Sequence, residues 1–343
     1  MKTQYIKIDR NGFSSEQLSD AAEIIRAGGL VAFGTETVYG LGADATNPEA
    51  AEKIYSAKGR PSNNPLIVHI ARIEDAERYV YTDERYYKIA KAFMPGPLTV
   101  IMPSRGVVAP SVCAGLDTLA IRCPSHPVAR AFIEVSDRPI AAPSANTSGR
   151  PSPTTAAHVM HDLDGKVDMI IDCGECEVGL ESTIIKLERD RCVLLRPGGV
   201  TYEMLTELLG DVEIAKGVLD KPSSEDKVES PGMLIAHYAP KAPLYLVKGE
   251  LGRVKEYISG KLESESIFAL GFDGEYGNSH RVISLGKDND VTSAAKRLFS
   301  ALREADELGA SEIYAAYPEH DGIGLALLNR MLRASAFKII DIG

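Results

Sequence analysis

The chain has 343 residues, which is long for one hydrophobic core and favours two domains. Its hydrophobic fraction of 44% and charged fraction of 25% are typical of globular proteins, and its formal net charge of −10 excludes general attraction of nucleic acid by the overall field. No apolar run approaches the roughly 20 residues of a membrane helix, and residues 1–10 lack the apolar core of a signal peptide.

The five cysteines are odd in number and scattered, which indicates a reducing compartment and a cytoplasmic protein. Cys173 and Cys176 form a C-x-x-C pair, but no second pair stands at zinc-ligand spacing. We therefore predict no metal site made from protein ligands alone.

The first elements alternate between helix and strand. Apolar residues at helical spacing predict a helix over 15–27, ended by two glycines, and residues 30–33 follow as a buried strand. Residues 34–45 contain three glycines and two threonines, so we expect a loop that a ligand can approach closely. This segment fits neither of the common glycine-rich phosphate loops. Residues 48–56 are predicted to form a helix.

The stretch from Lys58 to His69 combines cations, amides and prolines with an apolar run. Lys58 and Arg60 can converge on one anion if the backbone is extended, which the following prolines favour. Residues 66–68 then predict a buried strand with His69 at its end. The pattern is that of an anion-binding loop on a rigid strand, although a solvated turn that happens to be charged has the same composition.

Residues 73–93 are expected to be helical as far as the prolines at 95 and 97. Further strands are predicted at 98–102, 118–122, 169–172, 181–185 and 192–198, with a helix at 126–135. Two of these strands end on arginine, Arg122 and Arg196. Together with Lys58 and Arg60 they form a set of cations in apolar surroundings, which in an acidic protein indicates an anionic ligand. Any single one of them could instead pair with an internal carboxylate.

Few residues indicate nucleophilic or metal chemistry. Residues 143–154 are rich in hydroxyls and amides, but their serines lack the context of a nucleophile elbow. His69 could serve a site or simply be a satisfied core histidine. His158 and His161 are neighbours on a predicted helix without a carboxylate to complete a metal set, so we interpret them as structural.

The character of the chain changes at residues 216–243. Residues 222–227 are polar and turn-like, as in an interdomain linker, yet residues 230–240 include apolar and aromatic side chains that should pack on something. From residue 244 onward strands alternate with helices, which predicts a small, mostly parallel α/β sheet.

Several motifs in one order resemble the threonylcarbamoyl-AMP synthase family in its long form. They are GTETVYGLGADA at 34–45, Lys58 and Arg60 with PSNNPL at 61–66, PGPLT at 95–99, APSAN with SG and PSPT over 142–154, EST at 181–183, RPG at 196–198, SPGM at 230–233 and HYAP at 237–240. Two departures are visible. Gly34 stands where the family usually has proline, and Leu328, Asn329 and Arg330 match the C-terminal helix loosely.

The resemblance implies an α/β fold with two domains and a linker. Residues 1–212 would form an α+β YrdC-like catalytic domain whose twisted mixed sheet makes a concave site. Residues 213–243 would be an interdomain linker folding over the active site, and residues 244–343 a smaller Rossmann-like α/β domain.

The implied reaction converts L-threonine, bicarbonate and ATP into threonylcarbamoyl-AMP and pyrophosphate, with Mg²⁺ arriving on ATP. The product would pass to a tRNA threonylcarbamoyl transferase complex that modifies adenosine beside the anticodon, with a possible weak tRNA contact and no membrane association. Carried over by motif, the threonine-binding residues are Thr37, His69, Arg122, Ala142 and Ser182. The ATP-binding residues are Lys58, Arg60, Asn64, Thr118, Ser144, Asn146, Ser152, Arg196 and Tyr238. Lys58 and Arg60 would also catalyse the reaction electrostatically.

The residues fit this chemistry, because bringing two anions together requires cations and no protein nucleophile. We further expect residues 230–240 to form a lid that excludes water, with Tyr238 against the nucleotide.

Two alternative functions remain. One is an RNA-binding module, which the net charge disfavours. The other is an enzyme that uses carbamoyl phosphate in place of threonine and bicarbonate. We recognise in this sequence none of the zinc-finger or acylphosphatase-like segments that are usual in such enzymes.

Overall fold

The computed structural model describes residues 2–221, 230, 237–277, 279–287 and 290–343. It contains two sheets, an eleven-stranded mixed sheet built from residues before 215 and a five-stranded sheet built from residues after 243. This arrangement confirms the predicted α/β class. None of the helices in the described ranges is long and apolar enough to cross a membrane.

The larger sheet has the order β1-β8-β2-β3-β7-β4-β6-β5-β9-β10-β11. Its strands are β1 Gln4–Lys7, β2 Val31–Phe33, β3 Gly40–Asp44, β4 Ile67–His69, β5 Leu98–Pro103, β6 Thr118–Arg122, β7 Ile140–Ala141, β8 Met169–Asp172, β9 Thr183–Leu187, β10 Cys192–Arg196 and β11 Glu213–Ile214. Strands β2, β6 and β8 each contain a run of three apolar residues and are almost entirely buried, as runs of this kind predict.

Helices pack beside this sheet and lie between its strands in the chain. They are α1 Ser19–Arg26, α2 Pro48–Lys58, α3 Glu84–Phe93, α4 Pro110–Cys113, α5 Pro127–Ser136, α6 Ala156–Leu163 and α7 Tyr202–Leu209. Helix α2 begins with Pro48 after the cap residue Asn47, whose side chain accepts a hydrogen bond from the Ala50 amide. It ends at Lys58, followed by Gly59 with a φ of 62°.

The smaller sheet has the order β14-β13-β15-β12-β16, and all of its pairings are parallel. Its elements are β12 Leu244–Lys248, α8 Leu251–Lys261, β13 Ile267–Gly271, β14 Val282–Ser284, α9 Val291–Glu307, β15 Glu312–Ala316, α10 Ile323–Ala334 and β16 Ile339–Asp341. The predicted alternation of strand and helix is confirmed.

Three local predictions need correction, and one edge strand lies outside the predicted elements. Residues 40–44 form strand β3 and not a loop; Gly42 is required because a Cβ there would lie 2.8 Å from Ile140 of strand β7. The helix expected over 73–93 is interrupted, because the side chain of Asp83 caps a new helix at Glu84 after a 3-10 helix at Ile73–Arg78. Lys58 is helical, so the backbone between it and Arg60 is not extended. Strand β1 was not predicted.

The two sheets share a packed interface. Val38, Leu180 and Tyr238 belong to the same apolar cluster as the buried faces of α9 and α10. Ion pairs also cross this interface: Arg303 binds Asp162 at 2.8 Å, and Arg150 binds Asp306 at 2.6 Å. Of the predicted linker, residues 222–229 and 231–236 lie outside the described residues, whereas Ser230 and residues 237–240 are described.

Candidate active site

A cavity lies where several strands of the larger sheet end beside the interface with α10. It is lined by Thr35, Val38, Gly40, Arg60, Ile67, His69, Arg122, Ala142, Pro143, Ser144, Glu181, Arg196, His237 and Tyr238. Strand pairing explains part of this convergence. His69 is the register partner of Arg122 in the parallel β4–β6 pair, and Arg122 in turn pairs with Thr99 of β5. The ends of β4 and β6 and the beginning of β5 therefore lie at one place.

Arg122 is held by residues of the 34–45 segment. Its Nη2 donates to Glu36 Oε1 at 2.8 Å and to Thr37 Oγ1 at 2.8 Å. The Arg122 and Glu36 side chains are 5% and 3% exposed, so this is a buried ion pair. For Arg122 the alternative of an internal carboxylate partner is therefore correct, although its Nε has no hydrogen-bond partner.

Lys58 organises the loop of the hydroxyl-rich segment. Its Nζ donates to the carbonyl oxygens of Ser144 and Asn146 and lies 3.4 Å from Asn146 Oδ1. Ser144 Oγ donates to the same Oδ1 at 2.5 Å. Burial, together with the nearby charge of Arg60, lowers the pKa of Lys58 well below its ordinary value. Lys58 thus acts on the site through the Ser144–Asn146 loop.

The other two cations of the set are held mainly by oxygens of the loops beside them. Arg60 Nη2 donates to the Pro65 carbonyl at 3.0 Å, and Arg196 donates to Ser182 through the carbonyl at 3.0 Å and Oγ at 3.2 Å. Ser182 Oγ also bonds Thr99 Oγ1 at 2.8 Å. Burial lowers the pKa of both arginines to about 10. Both therefore remain cationic at neutral pH.

The C-terminal part of the chain completes the wall of the cavity. Arg330 of α10 binds Glu181, and Glu181 accepts a hydrogen bond from Ser152. Tyr238 is 1% exposed, has a φ of 67° and packs its ring 5.1 Å from that of Phe299 in α9. Sequence reasoning quoted Glu181 and Arg330 only as letters of motifs and assigned them no role.

Of the fourteen predicted site residues, seven line the cavity, six are hydrogen-bonded to residues that line it, and Thr118 lies elsewhere. Ala142 lines the cavity and donates its amide to the Ile67 carbonyl at 2.8 Å. Asn64 lies beside the cavity, because its backbone carbonyl accepts a hydrogen bond from Arg60, which lines the cavity. The Oδ1 atom of Asn64 is buried and has no hydrogen-bond partner within the described residues. Thr118 begins strand β6, four residues before Arg122, and lines a separate small cleft beside Pro65.

The histidines and carboxylates limit the chemistry that the cavity can perform. Burial, with the charge of Arg122 adding to it, lowers the pKa of His69 to about 3, so this imidazole is neutral at physiological pH. Over the described ranges no three His, Cys, Asp or Glu residues are grouped to hold a metal, and all five cysteines are buried free thiols. The arrangement is suited to binding and polarising anions rather than to nucleophilic catalysis.

Two family models match the chain. The Sua5_yciO_yrdC model, described as telomere recombination, matches residues 23–198, and the model for the C-terminal domain of threonylcarbamoyl-AMP synthase matches residues 200–336. The first match covers most strands of the larger sheet, and the second covers α7, β11 and most of the smaller sheet.

Relatives match over most of the chain. The chain is 45% identical over 328 residues to the threonylcarbamoyl-AMP synthase of Pyrococcus abyssi. This alignment covers 94% of this chain and 95% of that protein. It is 43% identical over 338 residues to that of Bacillus subtilis, with 97% and 96% covered. Its structure is similar to the crystal structure of P. abyssi Sua5 complexed with L-threonine, with a TM-score of 0.90, 41% identity and 100% of both chains covered.

Proposed function

The chain belongs to the threonylcarbamoyl-AMP synthase family, and from that membership we propose that it condenses L-threonine, bicarbonate and ATP into threonylcarbamoyl-AMP and pyrophosphate. The reaction is that of a nucleotidyltransferase. The observation that carries the proposal is the convergence of Arg60, Arg122 and Arg196 on one cavity, whose Ser144 loop is bound by Lys58.

Two bond-forming steps account for the products. The threonine amine attacks bicarbonate, which forms the N–C bond of a carbamate and releases water. A carbamate oxygen then attacks the α-phosphorus of ATP, and the bond to pyrophosphate breaks. Both steps bring anions together, so fixed cations lower the repulsion and stabilise the charge that develops. No covalent bond to the protein is needed, and positioning supplies the remainder.

Threonine is held, in this proposal, by Thr37, His69, Arg122, Ser182 and the backbone of Ala142. The guanidinium of Arg122 suits the threonine carboxylate because its planar fork can bind a carboxylate while Glu36 fixes its orientation. Hydroxyls near Arg122 can read polar groups of the substrate, and a site built to bind a hydroxyl rejects analogues that lack it.

The ATP-binding residues of the proposal are Lys58, Arg60, Asn64, Thr118, Ser144, Asn146, Ser152, Arg196 and Tyr238. The supporting geometry is that four of them line the cavity: Arg60, Ser144, Arg196 and Tyr238. Lys58 and Asn146 are hydrogen-bonded to Ser144, and Ser152 is hydrogen-bonded to Glu181, both of which line the cavity. Thr118 has the weakest support because it lines the neighbouring cleft.

Mg²⁺ enters with ATP in this proposal. Glu181 is the carboxylate among the residues that line the cavity in the described part of the chain, and its two oxygens already bind Arg330 and Ser152. The ligands left for Mg²⁺ are the phosphate oxygens and water, which this ion prefers.

We also propose that residues 1–212 form the catalytic domain, 213–243 a linker covering the site, and 244–343 a domain that supports it. Buried Tyr238 supports the lid, since it lines the cavity while packing on α9. A sheltered site would protect the mixed anhydride from water. The adenylate would be consumed by a separate transferase that modifies adenosine beside the anticodon of tRNA. A weak direct contact with tRNA is part of the same proposal.

The experiment that tests the function is pyrophosphate release from ATP with threonine and bicarbonate together and with each omitted. We expect turnover to need both, and to be lost in Lys58→Ala and Arg60→Ala. Arg72→Ala, which removes a mostly exposed cation outside the cavity, is the matched control. Release that is indifferent to threonine would contradict the assignment, as would salt-dependent tRNA binding without any ATP turnover.

A further inference from the structure

An arginine from the C-terminal helix α10 reaches the cavity wall across the interface. Arg330 is 0% exposed, and its Nε donates to Glu181 Oε2 at 2.8 Å. Its Nη2 donates to the Glu181 carbonyl at 3.2 Å and its Nη1 to the Pro197 carbonyl at 2.9 Å. One side chain therefore fixes residue 181 and the residue that follows Arg196.

Glu181 stands among the groups that the proposed function assigns to ATP. It lines the same cavity as Arg60, Arg196 and Tyr238, and its second oxygen accepts a hydrogen bond from Ser152. Burial alone would raise the pKa of Glu181, but the charges of Arg330 and Arg196 outweigh it and hold the pKa below its ordinary value. Glu181 is thus a carboxylate at neutral pH.

A carboxylate in this position opposes the binding of a triphosphate unless its charge is cancelled. Repulsion between like charges is strong in a site that water hardly screens. A buried carboxylate without a partner is also costly in itself, and it would compete for the guanidinium of Arg196. The partner that cancels this charge comes from residues more than a hundred positions away in the chain.

We propose that Arg330 is a positioning residue that neutralises Glu181, so that docking of α10 against the larger sheet makes the cavity accept ATP. The proposal rests on the assignment of this cavity to ATP. It gives the C-terminal part of the chain a defined role, which is to supply the countercharge for a carboxylate that also accepts a hydrogen bond from Ser152 and lies near the charge of Arg196.

The test is charge compensation. Arg330→Met removes the guanidinium bound to Glu181, and we expect the KM for ATP to rise about tenfold or more while the KM for threonine changes by less than about threefold. The double variant Glu181→Gln with Arg330→Met removes both charges and should bring the KM for ATP back to within about threefold of wild type. Asp306→Asn, which breaks the Arg150–Asp306 pair of the same interface, should leave both constants unchanged.

Other results would overturn the proposal. An unchanged KM for ATP in Arg330→Met would do so, and so would a double variant as impaired as the single or more so, because a merely structural role gives no rescue. Thermal unfolding of each variant shows whether it folds. If Arg330→Met does not fold, Arg330→Lys decides: it keeps the charge and should bind ATP within about threefold of wild type, whereas a tenfold loss refutes charge neutralisation. Wild-type turnover with threonine is measured alongside; its absence refutes the function itself.

Discussion

Arg122 and Glu36 form a buried ion pair at 2.8 Å, and Arg122 is also bonded to Thr37 on the same segment. The pair is neutral as a unit, which suits a zwitterionic amino acid better than a simple anion. Glu36 therefore orients the guanidinium without the site carrying an excess of positive charge at this end. The carboxylate of the substrate would be the second carboxylate that Arg122 binds, after that of Glu36.

Arg122→Lys should impair threonine use more than ATP use. An ammonium cannot hold Glu36 and Thr37 and also bind a second carboxylate with the fixed geometry of a fork. We expect kcat/KM for threonine to fall about 100-fold, equivalent to about 3 kcal/mol, with the KM for ATP within about threefold of wild type. Steady-state kinetics with each substrate varied in turn measure this. Equal losses for both substrates would contradict a threonine-specific role.

Lys58→Met should abolish turnover and also lower stability. The change removes the donor for the carbonyl oxygens of Ser144 and Asn146, and each unsatisfied buried group costs about 1–3 kcal/mol. The control is Lys53→Met in the same helix, because Lys53 Nζ donates to the Gly28 carbonyl at 2.7 Å. Both variants should unfold at lower denaturant concentration, and Lys53→Met should keep its turnover. Loss of turnover in both would show that stability alone accounts for the effect.

Tyr238→Ala should uncouple ATP consumption from product formation. The change removes a buried ring that lines the cavity and packs on Phe299, which opens the site to water. We expect less threonylcarbamoyl-AMP per pyrophosphate released, whereas Tyr238→Phe, which keeps the ring, should stay close to wild type in this ratio. The ratio is measured by chromatography of the nucleotides. A Tyr238→Ala variant with an unchanged ratio would refute the lid.

His69 should make stability depend on pH. Its folded pKa of about 3 lies below the ordinary 6.5, because burial and the charge of Arg122 disfavour the imidazolium. Between these values the unfolded chain binds a proton that the folded chain does not, so the free energy of unfolding falls as pH falls below 6.5. This group alone should cost about 2 kcal/mol at about pH 5 relative to neutral pH.

His69→Asn isolates that contribution, since the other buried histidines titrate in both proteins. Denaturant titrations at the two pH values should show a loss about 2 kcal/mol smaller in the variant than in wild type. The same loss in both proteins would mean that His69 does not titrate as its burial predicts.

Gly34→Ala should destabilise the chain through a steric clash. A Cβ at Gly34 would lie 2.4 Å from Cys173 Sγ and 3.0 Å from Tyr39 Cζ, so we expect a cost of about 1–3 kcal/mol. Adding Cys173→Ala removes the nearer atom, and the double variant should lose less stability than the two single variants together. Additive losses in this double-mutant cycle would show that the sulfur is not the obstacle.

The spacing of apolar residues predicted most helices and strands of this protein, because secondary structure depends largely on residues that are close together in the chain. Buried apolar runs identified strands such as β6 and β8, and helical spacing identified α9 and α10. Pattern failed for β3, whose glycines looked like a ligand loop but allow close packing against β7. It also failed for β1, a short and mostly exposed edge strand that carries no apolar run.

Motif resemblance identified the family and most of the residues that surround the cavity, and the cations were conspicuous by their apolar surroundings. The partners of those cations could not be read from the sequence. Glu36 and Arg122 are 86 residues apart, and Glu181 and Arg330 are 149 apart. No local periodicity relates residues at such separations; the order of strands in the larger sheet and the docking of α10 decide which charges meet. The sequence alone determined which chemical groups this protein has available, and only the tertiary structure decided which of them are neutralised internally and which face the cavity.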